Sequence, residues 1–129
     1  MARKIQGIKK RFLFVAKSIF EAHEEAKFNL IEAVEKGQLN GAFGDALVDD
    51  AKKSEALVDA FNFHESWVDS SEFEDTSEEM LNRMINTLAD NLKLEANRLT
   101  LNGLKIKDHW RLSGVMEAMN KLDNIGAIK

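Results

Sequence analysis

An apolar repeat at the start of the chain constrains the fold more than any other feature. Ile5, Ile8, Phe12, Val15, Ile19, Ala22 and Ala26 follow one another at alternating steps of three and four residues. A helix turns once in about 3.6 residues, so this spacing sets them on one face. Leu13, Ala16, Phe20, Leu30 and Val34 widen that face beyond a coiled-coil seam, which predicts packing against more than one neighbour. A helix is predicted over residues 3–35, and its stretch from Ile5 to Val34 alone would run about 45 Å, longer than a domain of this size needs.

Three further helices are predicted. Lys36 and Gly37 close the first, and residues 38–44 (QLNGAFG), with two glycines, read as a flexible turn whose Phe43 tucks back under the core. Asp45 is a candidate N-cap for a helix over residues 46–68, with Leu47, Ala51, Val58, Phe61 and Val68 inward and Trp67 assigned to the core. The acidic stretch 69–75 breaks the pattern, with Phe73 as its anchor. Thr76 and Glu79 have the spacing of a capping box and open a helix over 77–101, whose Leu81, Met84, Ile85, Leu88, Leu92, Ala96 and Leu99 keep a helical period. Asn102-Gly103 ends it, and Asp108 caps a last helix over 109–124 with Leu112, Val115, Met116, Met119 and Leu122 inward. No period-two strand with a hairpin turn is legible. The fold class is therefore all-α: four helices in one domain, residues 1–129, as a bundle or extended array.

Composition narrows the chemistry. The chain has no proline to break a helix and no cysteine, which removes disulfides, thiolate nucleophiles and Cys-ligated zinc. The basic start resembles the n-region of a signal peptide, but the apolar run over 12–16 ends at Lys17 and no small-residue cleavage site follows. No window approaches the ~20 apolar residues that span a bilayer. The expectation is a soluble, unprocessed, cytoplasmic protein with no membrane span.

Catalytic and metal constellations are missing from the sequence. The residues three before His23, His64 and His109 are Phe20, Phe61 and Ile106, so no Glu-x-x-His pair exists to aim two ligands into a bundle. No serine lies in a strand–turn–helix elbow, and Gly41-Ala42-Phe43-Gly44 lacks the Lys and Ser/Thr of a phosphate loop. No enzyme activity, metal or cofactor is expected.

Charge is segregated instead. Residues 1–20 carry six basic side chains and no acid, residues 49–79 eleven acids and two lysines, and residues 93–129 seven basic side chains and four acids. Such segregation describes either solvated faces or a basic end that meets the acidic belt of another copy. The belt is represented by Asp49, Asp50, Glu72, Glu74 and Asp75. Arg3, Lys10 and Lys17 recur at heptad spacing opposite the apolar face, with Arg11 and Phe14 beside them; Trp110 and Arg111 open the last helix. These seven residues are the candidate interface. The same basic stripe suits phosphates, so a small regulator that binds nucleic acid through the first helix is the alternative; a membrane surface is a third use.

Residues 98–122 read RLTLNGLKIKDHWRLSGVMEAMNKL. A helix stops on Gly103, a Lys107-Asp108 connector follows, and the next helix carries Trp110-Arg111, Gly114-Val115 and Met119. This resembles the ending of small α-helical virion-associated or assembly proteins of tailed bacteriophages, in which the aromatic before the arginine is usually a tyrosine. Gly114 in mid-helix permits close approach of another helix. The resemblance covers a fifth of the chain and implies a role in the particle, at the capsid or head–tail connector; it transfers no functional residue. The reading is a non-enzymatic structural or adaptor protein that works by contact with other protein chains, as an oligomer or within a larger assembly.

Overall fold

The computed structural model describes residues 7–38, 40–101 and 109–126. Among them are six helices and no strand: α1 (Ile8–Glu35), α2 (Gly41–Phe61), α3 (Glu65–Val68), α4 (Ser71–Asp75), α5 (Glu78–Leu101) and α6 (His109–Ile125). The protein is all-α. Arg3, Ile5, the stop at 102–103, the connector 104–107, the Asp108 cap and the C-terminal tail lie outside the described residues.

The first helix keeps the apolar face that its spacing predicts. Ile8, Phe12, Val15, Ala16, Ile19 and Phe20 are all buried. Gly7 is the residue before the helix, in the left-handed region at φ 86°. Beyond Phe20 the face stops being core: between residues 21 and 35 only Ala33 is buried. Ala22 and Val34, both expected inside, are exposed.

The predicted helix over 46–68 is two helices with a corner between them. α2 starts earlier, at Gly41, and Asp45 lies inside it rather than at its cap. It ends at Phe61 because Asn62 turns left-handed at φ 55°, a conformation that asparagine tolerates better than most residues. The chain then turns through α3 and α4. At the start of α5 the cap is one residue later than predicted. The Ser77 hydroxyl accepts the Met80 N–H at 3.0 Å, while Thr76 donates back to the Glu72 carbonyl at 2.8 Å.

The corner is filled by aromatic rings around Phe12. Phe61 and Phe73 stack on it at centroid distances of 5.6 Å each, and Phe63 meets it edge-on at 4.9 Å. Trp67 lies over Phe63 at 5.6 Å and edge-on to Phe73 at 5.1 Å, so its predicted core role holds for the ring, which is half-buried. Offset and edge-on arrangements are those that aromatic quadrupoles favour. The anchor expected of Phe73 is real, with 3% of its surface exposed.

α1 runs up, α2 returns, α5 runs up again and α6 comes back to the base. α2 packs most extensively against α6, then against α1, and α5 packs mainly on α6. The α2–α6 contact depends on Gly114. A Cβ built there would lie 2.4 Å from the Ala56 carbonyl oxygen and 2.6 Å from its carbon, so the helix backbones touch. Val115, Ala118, Leu122 and Ile125 close the core behind it, whereas Met116, expected inward, is 53% exposed.

Gly114→Ala is therefore expected to destabilise the fold by about 1–3 kcal/mol, although alanine is the better helix former by about 1 kcal/mol. Urea unfolding followed by circular dichroism measures it; a neutral or stabilising result contradicts the close contact.

Candidate interaction surface

The base of the bundle consumes much of the positive charge that the sequence displays. The Lys9 backbone N–H, in the first turn of α1, donates to the Glu78 carboxylate at 3.0 Å. Glu78 also opens α5, so one carboxylate faces the N-terminal ends of two helices, where negative charge is favoured. The Lys9 ammonium donates to the Glu74 carbonyl at 2.7 Å and sits 5.1 Å from the Phe73 ring centre. Arg11 Nε donates to the Ile125 carbonyl at 2.6 Å, which joins the start of α1 to the end of α6. A cation at a helix C-terminus satisfies carbonyls that have no partner inside the helix.

The candidate interface is thus not one surface. Arg3 lies outside the described residues. Arg11 is half-buried and committed to α6. Lys10 and Phe14 are exposed, Phe14 at 78%, and they line a shallow groove of about 490 Å³ with Val15, Ser18, Lys121 and Asn124. Lys17 is exposed too, but it borders a groove walled by Glu21, Glu24, Glu65 and Asp69. Trp110 is half-buried with its ring edge-on to His109, and Arg111 is tied to Glu95 at 2.6 Å. Nor do the acids form one belt. Asp49 and Asp50 are on α2, more than three turns (about 16 Å) before the corner, while Glu72, Glu74 and Asp75 are on α4 within it. All five are exposed.

A groove of about 620 Å³ lies between α2, α5 and α6. Leu88, Leu92 and Val115 line it, with Trp110 and the charged Glu55, Asp59 and Glu95. Arg98 and Arg111 both hold Glu95, and the hydrogen bond from Arg98 is the main reason that its carboxyl titrates below the usual range. On α1, the Lys27 ammonium hydrogen-bonded to Glu24 lowers that carboxyl in the same way.

The histidines do not converge. His23 Nδ1 meets the Ser54 hydroxyl at 2.9 Å. That hydroxyl spends its proton on the Ala51 carbonyl at 3.0 Å, so Nδ1 must carry the hydrogen and donate. This bond ties α1 to α2. His64 precedes α3 and His109 opens α6. Among the described residues no three potential metal ligands cluster, and no helix is long and apolar enough to cross a membrane.

What the sequence reading missed is the far end of the α1–α2 hairpin. Phe28 is 63% exposed, Ile31 58%, Val34 56% and Phe43 59%. Phe43 does not tuck under the core, because α2 already begins at Gly41 and carries it outward. The signal was present for two of them: Phe28 and Ile31 fall off the three–four repeat that marks the buried face. Chain pairing along this arm rests on small contacts, Ala33 and Gly44 being its buried members.

No protein-family model, no curated protein and no solved structure matches the chain.

The Glu95 cluster carries a pH signature. A carboxyl whose folded pKa is lowered stabilises the fold above its ordinary range, and that stability is lost as pH falls through the lowered value. Glu95→Gln should thus cost up to about 1 kcal/mol at neutral pH. The difference from the unsubstituted protein should close in acid, as paired urea titrations at pH 7 and in acid would show. A gap that persists in acid would mean that the charge is not what matters.

Proposed function

We propose that this is a non-enzymatic structural or adaptor protein that works through contacts with other protein chains. The observation that carries the reading is the outer end of the α1–α2 arm. Four large apolar side chains stand exposed there, on a hairpin that projects past the last large core residues of α1. Exposed apolar side chains gathered in one place are favoured at surfaces that another protein covers. A catalytic role would need a positioned set of reactive groups, and the groove between α2, α5 and α6 has the Glu95 ion pairs at its rim instead.

The setting we propose is a bacteriophage particle or its assembly. That part rests on the resemblance of residues 98–122, within which Gly114 lets α6 meet the backbone of α2. The nucleic-acid reading is less well supported: Arg11 is held by α6 and Lys17 borders four carboxylates, so the basic stripe offers little continuous positive surface to a phosphate backbone.

The test uses a photo-crosslinking amino acid at position 31 or 43, introduced into the protein in the cells that produce it. Crosslinks to protein chains are expected, with the same residue at exposed Asp59, away from the arm, as the control. If the arm yields no protein crosslink above that control, the adaptor reading fails. If the protein is absent from purified particles, the virion setting fails.

A further inference from the structure

Resting on that adaptor reading, we propose that the chain associates head to tail with copies of itself, the tip of the α1–α2 arm of one seated on the basic groove at the base of the next. The two surfaces are complementary in kind and opposite in sign. At the outer end of the arm, between residues 25 and 45, there are four acids and two lysines, and Phe28, Ile31, Val34 and Phe43 stand exposed among them. Around Phe14, the most exposed aromatic, the groove is lined by Lys10, Arg11 and Lys121 and by no carboxylate. Lys10 has no ion-pair partner among the described residues, and Lys121 only a long one, 3.9 Å to Glu117.

The arrangement follows from α1 itself. Residues 8–20 carry four cations and no acid, and residues 21–35 carry five acids and one lysine. One rigid helix therefore presents opposite charges at its two ends, with Phe14 and Ile31 about 25 Å apart. A symmetric dimer through the tips would bring two acidic arms together, and one through the bases two basic grooves; both are repelled. Tip on base is the pairing that like-charge repulsion leaves open. Since the two patches are different and lie at opposite ends, the contact is heterologous and propagates into a chain or closes into a ring.

The experiment is complementation by sedimentation velocity. One variant disables the tip (Phe28→Ser with Ile31→Ser), the other the base (Phe14→Ser with Lys10→Glu). All four side chains are exposed, and unchanged circular dichroism spectra verify folding. A single-charge pair, Lys10→Glu against Lys27→Glu, serves as a second set in which the base variant should associate more weakly and the tip variant no more weakly. The unsubstituted protein should gain mass with concentration, and its dissociation constant should rise about tenfold or more between low and high salt. Each disabled variant alone should stay monomeric, and an equal mixture should form dimers and stop there, because one intact tip meets one intact base.

A monomeric unsubstituted protein overturns the proposal, as does association by the base variant alone or a mixture that does not dimerise. A monomer whose position-31 crosslinks go to a different protein removes self-association and leaves the adaptor reading intact. A monomer with no such crosslinks removes both.

Discussion

The structure hangs on the burial of Phe12. Four aromatic rings from the corner after α2 close on this one side chain, and they come from three separate stretches of chain: the end of α2, α3 with the residue pair before it, and α4. None of those stretches is long enough to be a stable helix in isolation except α2. Packed rings make α3 and α4 worth forming, and the corner they build turns the chain back so that α5 begins beside the start of α1. Removing so much aromatic surface from water is the dominant driving force available at that end of the molecule.

Around that apolar plug the polar groups are spent on helix ends. Glu78 faces the first turns of α1 and α5, Lys9 reaches the carbonyl of Glu74, and Arg11 reaches that of Ile125. Helix termini leave backbone donors and acceptors without partners, and burying them unmet is costly. Residues that look in one dimension like a basic stripe for an external phosphate are, in part, internal caps. The charge that remains outward, on Lys10 and Lys121 around Phe14, is local to one groove.

The opposite end of the molecule is built by other means. The α1–α2 arm is joined by small residues, by Leu30 and Leu47 at half-burial and by the His23–Ser54 hydrogen bond. An arm held by two helices buries one face of each and leaves the rest to solvent. That is why α1 runs past the core and why its outer apolar residues are left uncovered among the described residues.

The helical class, the long first helix and its buried face were legible in the sequence, because a period of 3.6 is a local property that any packing partner must respect. So was the value of a glycine at position 114, where only the absence of a side chain lets two backbones meet. Legible but misread was the stretch from 41 to 68, since its apolar pattern continues through Asn62 and gives no sign that the chain turns there. What tertiary structure alone decided is which residues of a pattern go without a partner. Val34 and Met116 satisfy the same local periodicity as buried neighbours, yet more than half of each stays exposed. Burial is a relation between distant segments, and so is the fate of a charge: whether Arg11 faces solvent or the end of α6 depends on where residue 125 arrives, which spacing along the chain does not encode.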